Sequence, residues 1–315
     1  MKKASLLLIL FACTLVLEAQ PVQVQSAFNF LRRGQLDRAK EAIDAASVHE
    51  RTMSDPKTWF YKGNIYLDIH LSEEPKYKRL EKNALQIAYD AFQKSVELDE
   101  KREYFDQVKI RLYICGEQFY NLGVELFNQE NFADALTSFE KTARVNAMFG
   151  VQDSLATFNA ALSAQFSGQI DKAKENYLRL IRLNYQNPRI YIALSDIYKN
   201  EGDSVQMLRV IEQGRQRFPE DYNLIIAETN IHLANGEIEK AQKSIELALT
   251  QNPTNPNLYF ALGANYDELG NFEDAEKSYK RALELNPEFF DALYNLGALY
   301  FNTGVSIFEE ADKIP

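Results

Sequence analysis

Apolar residues along this chain recur three and four positions apart with polar residues between them, the spacing of one face of an α-helix. Between residues 256 and 289, Tyr259, Leu262, Gly263 and Tyr266 mark one such face, and Ala275, Tyr279 and Ala282 mark a second. Gly270-Asn271 falls between them as a turn, and Asn286-Pro287 closes the second stretch, because proline cannot continue the hydrogen-bond ladder. The spacing predicts a pair of antiparallel helices, with the small residues Gly263 and Ala275 where the two cross. Further upstream, Tyr104, Val108, Leu112, Cys115, Phe119 and Leu122 form one stripe and predict an unusually long helix over 103–129.

The pair is repeated. Gly168, Gly202, Gly236, Gly270 and Gly304 stand 34 residues apart, and so do Pro219, Pro253 and Pro287. A fixed period of this length is the mark of an array of supersecondary units. Residues 188–221 keep Tyr191, Leu194, Tyr198, Met207, Ile211, Gly214 and Pro219, with Ser195 in place of Gly263. Residues 222–255 keep Ile225, Ala241, Ile245, Ala248 and Pro253 but carry Glu228, Thr229 and His232 on the first helix. Residues 154–187 are looser, with Ala160, Ala161, Ala173 and Tyr177, and Tyr185 where the proline would be. The stretch 116–149 shows Phe119, Leu122-Gly123, Ala135, Phe139 and Ala143. Residues 56–102 start with Trp59, Gly63 and Tyr66 and resume late at Ala88 and Phe92, which implies an insertion over 68–80. Phe30, Gly34, Ala39, Ile43 and Ala46 mark the weakest copy, 20–53, and Leu293, Leu296, Gly297 and Tyr300 open a partial one over 290–315.

An aromatic, Leu-Gly and Tyr on the first helix, with Ala, an aromatic, Ala and Pro on the second, resembles the signature of the tetratricopeptide repeat family, which residues 256–289 match at every marked position. The resemblance implies an all-α fold, a right-handed superhelical solenoid of stacked antiparallel helix pairs spanning residues 20–315, since one hairpin alone leaves an apolar face bare. It also implies a concave surface lined by the first helices, on which Phe60, Asn64, Tyr120, Phe158, Ile192, Asp196, Lys199, Ile226, Asn230, Phe260, Asp267 and Tyr294 face inward. Asn donates and accepts, and aromatic rings give apolar contact at little entropy cost, a mixture suited to a protein or peptide partner. Aromatics in that set have packing between helices as their competing role. Lys199 is its only cation, so the Lys and Asn clamp by which some family members hold a terminal carboxylate is not matched.

The N-terminus reads as an address. Lys2 and Lys3 precede an apolar run from Ala4 to Leu17, too short to span a bilayer as a helix and consistent with a signal peptide over 1–19 cleaved after Ala19. Leu10-Phe11-Ala12-Cys13 offers the alternative of a lipid anchor at Cys13. Either way the expected location is the periplasm or cell envelope.

Composition narrows function by exclusion. A net charge of −10 and a pI near 5 oppose nucleic-acid binding, which needs a basic surface to release counterions. There is no phosphate-binding Gly loop, no H-E-x-x-H and no G-x-S-x-G, and His49, His70 and His232 lie in unrelated turns of the pattern. No catalytic, metal or cofactor residue is assigned, and no cofactor is expected. Cys115, between Ile114 and Gly116, reads as a buried thiol. Ser306 to Glu309 resembles a capping box opening a helix beyond Gly304, with the chain expected to be cut short inside its eighth repeat, the alternative being an end that docks on a partner through Ile307, Phe308 and Ile314. The sequence thus points to a non-enzymatic, envelope-located binding scaffold. Its alternatives are a lipidated outer-membrane subunit of an assembly or secretion complex and an accessory domain of an enzyme continuing past residue 315.

Overall fold

A computed structural model describes residues 22–311, with side chains described as far as Phe308. The signal peptide, its cleavage after Ala19 and the lipid anchor at Cys13 lie outside the described residues. Among those described, all regular structure is helical: α1 (22–32), α2 (Leu36–Ser47), α3 (Pro56–Leu71), α4 (Pro75–Lys78), α5 (Ala84–Leu98), α6 (Phe105–Asn128), α7 (Phe132–Met148) and α8 (Ser154–Phe166). They are followed by α9 (Ile170–Arg182), α10 (Arg189–Asn200), α11 (Ser204–Arg217), α12 (Tyr222–Ala234), α13 (Ile238–Gln251), α14 (Pro256–Glu268), α15 (Phe272–Leu285) and α16 (Phe290–Ala311). The helices group into two compact units, one ending at Ala173 and the other starting at Lys174.

In the first unit α2 packs on α3, α3 on α5, α5 on α6, α6 on α7 and α7 on α8. In the second, each helix from α10 to α16 packs on the next, and α10 also meets α12 and α14 meets α16. Each unit is therefore a stack of helix pairs whose apolar faces are covered by their neighbours. Short turns enforce the pairing. At the α14–α15 turn, Gly270 N–H donates to Asp267 O at 2.9 Å and Asn271 N–H to Tyr266 O at 2.8 Å, with Gly270 at φ +68°. That paired bond satisfies carbonyls left over at the helix end and needs the left-handed conformation glycine adopts without cost. Side-chain caps start the following helices: Asp203 accepts from Gln206 N–H at 3.0 Å, and Asp221 from Leu224 N–H at 3.0 Å.

The crossing points are glycine against aromatic ring. A Cβ on Gly63 would lie 2.5 Å from Phe92 Cδ1, one on Gly123 2.8 Å from Phe139 Cε1, and one on Gly263 2.6 Å from Tyr279 Cδ1. The hairpin α10–α11 inverts this arrangement, with Gly214 on the second helix beneath Tyr191 on the first. These rings are the large, fully buried side chains around which the pairs close.

Two expectations change. The long helix over 103–129 is found as α6, but α3 continues to Leu71, so the inserted residues occupy 72–83 and contain the one-turn α4. Tyr77 anchors this insertion, its hydroxyl donating to Gly34 O at 2.7 Å. At the other end there is no turn at Gly304 and no helix opening at Ser306, because α16 runs unbroken from Phe290 to Ala311. Val305, Ile307 and Phe308 are exposed, so no packed face draws them back onto the first helix, and a glycine inside a helix costs only about 1 kcal/mol.

Candidate partner-binding surface

The first unit holds two cavities along α6. One, of about 400 Å³, opens between α1, α3 and α6 and is walled by Phe28, Phe60, Tyr61, Asn64, Ile110 and Arg111 among others. Its aromatic wall is continuous: Phe28 and Tyr61 centroids are 5.0 Å apart, Phe60 and Tyr61 5.4 Å, Phe60 and Tyr104 5.1 Å. Burial raises the Tyr61 phenol pKa and keeps it a neutral donor. Asn64 is 5% exposed; its amide N–H donates to Phe60 O at 3.0 Å, whereas its Oδ1 is buried with no partner. At the rim Arg111 stands 3.6 Å from Asp68, whose carboxyl is pushed up by burial, with the guanidinium pulling it partly back.

The second cavity, of about 500 Å³, lies where α6 and α7 meet the start of α8, and includes Tyr113, Glu117, Tyr120, Asn146 and Asp153. Asn159 amide N–H donates to Tyr120 Oη at 3.1 Å, and Asn146 amide N–H to Asp153 Oδ2 at 2.7 Å.

Residues 265–304, the end of α14 through most of α16, match the family model described as TPR repeat. The matched stretch begins just after Gly263 and includes Tyr279, its partner in one of the glycine-on-aromatic helix pairs. Residues 265–304 contain a tetratricopeptide repeat. Solved structures similar to it include TTC0263 of Thermus thermophilus, with 24% identity over 59% of this chain and 99% of that one, at a TM-score of 0.39. YrrB, described as a TPR protein with an unusual peptide-binding site, has 16% identity over 66% and 98%, at 0.43, and MamA protein 15% over 55% and 92%, at 0.45. No curated protein matches the sequence.

The residues expected on the inner face of this chain are placed unequally. Phe60 and Asn64 line one cavity and Tyr120 the other. Phe158, Ile192 and Ile226 are half-buried, while Asp196, Lys199, Asn230 and Tyr294 are exposed. Phe260 packs 6.0 Å from Tyr279 and 5.1 Å from Phe289, and Phe60 belongs to the first unit's core, so both rings also serve the fold. Burial raises the Asp196 carboxyl, with Lys199 opposing, and raises that of Asp267, with Glu268 adding repulsion. Gln107, Ile110 and Arg111 were not in the expected set, because they precede the repeat that begins at residue 116 and are aligned with α3 only by the extra length of α6.

The second unit has a cavity of about 690 Å³ between α11, α12 and α13 that the residue pattern did not single out. Arg215 Nε lies 3.1 Å from Glu228 Oε2, Ser244 hydroxyl donates to the same carboxylate, and His232 Nδ1 is 2.8 Å from Glu237 Oε2. Its signal was visible: Glu228, Thr229 and His232 stand where residues 256–289 have Leu262, Gly263 and Tyr266. Among the described residues no cluster of His, Cys, Asp and Glu could hold a metal ion, and no helix is long and apolar enough to cross a membrane.

Proposed function

We propose that this chain is a non-enzymatic tetratricopeptide-repeat scaffold that holds a protein or peptide segment on its first-helix surface, acting after export in the periplasm or cell envelope. The observation that carries the reading is Asn64. Asn64 lines an open aromatic cavity while its Oδ1 is buried with no partner, and an unsatisfied buried acceptor costs about 1–3 kcal/mol. A turn of the Asn64 side chain toward the cavity lets that oxygen accept a backbone N–H from a bound segment and removes the cost, while Phe28, Tyr61 and exposed Ile110 supply apolar contact. Envelope pull-down with the wild type, Asn64→Ala and Ile110→Asp tests it: each variant is expected to weaken partner capture about tenfold, the equivalent of ~1.4 kcal/mol. Retention of every partner by both variants overturns the reading.

The lipobox-like Leu10-Phe11-Ala12-Cys13 supports a second reading, in which the scaffold is a lipid-anchored subunit of an outer-membrane assembly or secretion complex. Mass spectrometry of the mature N-terminus separates the two: a chain starting at Gln20 supports the unanchored form, and acylated Cys13 the anchored one.

A further inference from the structure

The cavity where α6 and α7 meet the start of α8 has carboxylates and aromatic rings in its lining and no cation. Tyr113, Glu117, Tyr120 and Asn121 line it from α6, at spacings of four, three and one that keep them on one side of the helix. Asn146 and Asp153 close it from α7 and the start of α8. Asp153 is held in place twice: its Oδ1 accepts from Ala156 N–H at 2.8 Å, and its Oδ2 accepts from the Asn146 amide at 2.7 Å. Each of these oxygens keeps a lone pair for a further donor. Glu117 is exposed and has no hydrogen-bond or ion-pair partner among the described residues.

The charge around the cavity is one-sided. Residues 112–140 hold five carboxylates and no Lys or Arg, and residues 145–171 hold Asp153 and Asp171 and again no Lys or Arg. The two cations between these stretches are engaged with another helix: Lys141 bonds to Gln86 on α5, and Arg144 hydrogen-bonds the Tyr89 hydroxyl there. Neighbouring rings are already covered, Phe119 by Lys141 at 4.9 Å and Phe149 by Lys109 at 5.0 Å. Among the described residues no cation lies over Tyr113 or Tyr120, and Tyr113 is 48% exposed.

We propose that this cavity takes a basic side chain of the bound partner, a guanidinium in preference to an ammonium. Tyr113 offers a ring face, and the carboxylates of Glu117 and Asp153 offer acceptors at its edge. A planar guanidinium stacks on a ring while its edge donates to a carboxylate, whereas an ammonium meets either group only as a point charge. With no cation in the lining, the incoming charge displaces no ion pair of the protein. The inference rests on the scaffold reading only for the origin of that side chain, since this cavity is distinct from the one that Asn64 lines.

The test is an NMR titration of the full chain, labelled with carbon-13 at tyrosine. The probes are N-acetyl-arginine amide, its neutral isostere N-acetyl-citrulline amide, and N-acetyl-lysine amide. The arginine probe is expected to shift Tyr113 and Tyr120 with a dissociation constant on the order of 1–10 mM, the lysine probe to bind a fewfold more weakly and the citrulline probe about tenfold more weakly. Glu117→Gln and Tyr113→Ala should each weaken the arginine probe about fivefold or more. Glu130→Gln makes the same charge change in the same cation-free stretch but outside the lining, and should stay within about twofold of wild type. Glu117 has no partner to lose, so circular dichroism of Glu117→Gln should match wild type. Citrulline binding as well as arginine, shifts confined to other tyrosines, or indifference to both Glu117→Gln and Tyr113→Ala overturns the proposal. So does envelope pull-down in which Glu117→Gln retains every partner at full strength, an outcome that leaves the scaffold reading standing. Arginine binding as expected with no partner captured by the wild type supports the cavity's assignment and overturns the scaffold reading instead.

Discussion

Replacing Gly63 by Ala tests whether the glycine-on-ring contact closes the α3–α5 pair. The new methyl would lie 2.5 Å from both Phe92 Cδ1 and Cε1 and 2.8 Å from Cγ. Ordinary carbon contacts are about 3.5–4.0 Å, so the overlap is roughly 1 Å against three ring atoms. Phe92 is fully buried and cannot rotate away, so the two helices must separate. Overpacking costs about 1–3 kcal/mol, and an overlap this large against a buried ring belongs at the upper end; Ala recovers about 1 kcal/mol of helix propensity lost at Gly, which leaves a net loss of about 2 kcal/mol. Trp59, the one tryptophan in the chain, stands on the same helix one turn earlier with its indole N–H donating to Met53 O at 2.7 Å. Urea unfolding followed by its fluorescence therefore reports on this pair locally, which matters because stacked repeats need not unfold as one unit. With Phe92→Leu in the background, the added methyl has room, and the penalty of Gly63→Ala should largely vanish. If Gly63→Ala matches or exceeds wild-type stability, or costs as much with Phe92→Leu as without it, the contact does not govern the pairing.

Two other groups give titration and reactivity predictions. Burial acts to raise the Asp44 carboxyl, but hydrogen bonds from Lys40, Tyr66 and Lys62 outweigh it, and the pKa falls below the usual 3.8. A carboxylate lowered on folding contributes stability that is complete above the unfolded value and is lost as pH falls through the folded one. Tyr66→Phe removes a hydroxyl 2.8 Å from both carboxylate oxygens, so carboxyl NMR should show the Asp44 titration move to higher pH, and a fall or no change would refute the assignment. Cys115 is buried and its thiol is pushed up to about 12 by that burial, with Arg111 opposing. Iodoacetamide at about pH 8 should leave it unmodified by peptide mass spectrometry until denaturant is added, because only the thiolate attacks; labelling of the folded chain would contradict the burial.

Much of the fold is a local property, and the sequence by itself determined that part. Helix period, turn glycine and terminating proline are each set by interactions within about four residues, so α14, Gly270 and α15 could be read in order from residues 256–289. The small residue at Gly263 likewise announced a close crossing, and the 24-residue α6 was visible as one long stripe. What lies opposite a given face depends on residues tens of positions away, and only the tertiary structure decided it. Phe260 had the same spacing as a groove residue but is partly covered by Tyr279 and Phe289, while Phe60 is taken into the first unit's core. The unpartnered oxygen of Asn64 arises because its amide N–H turns back to Phe60 O, a choice with no trace in the residue pattern. Gly304 keeps the 34-residue step yet lies inside α16, because a turn forms only where a following helix gains more by packing back than the unbroken helix gains by continuing. Periodicity thus fixed which residues could meet, and burial fixed which of them did.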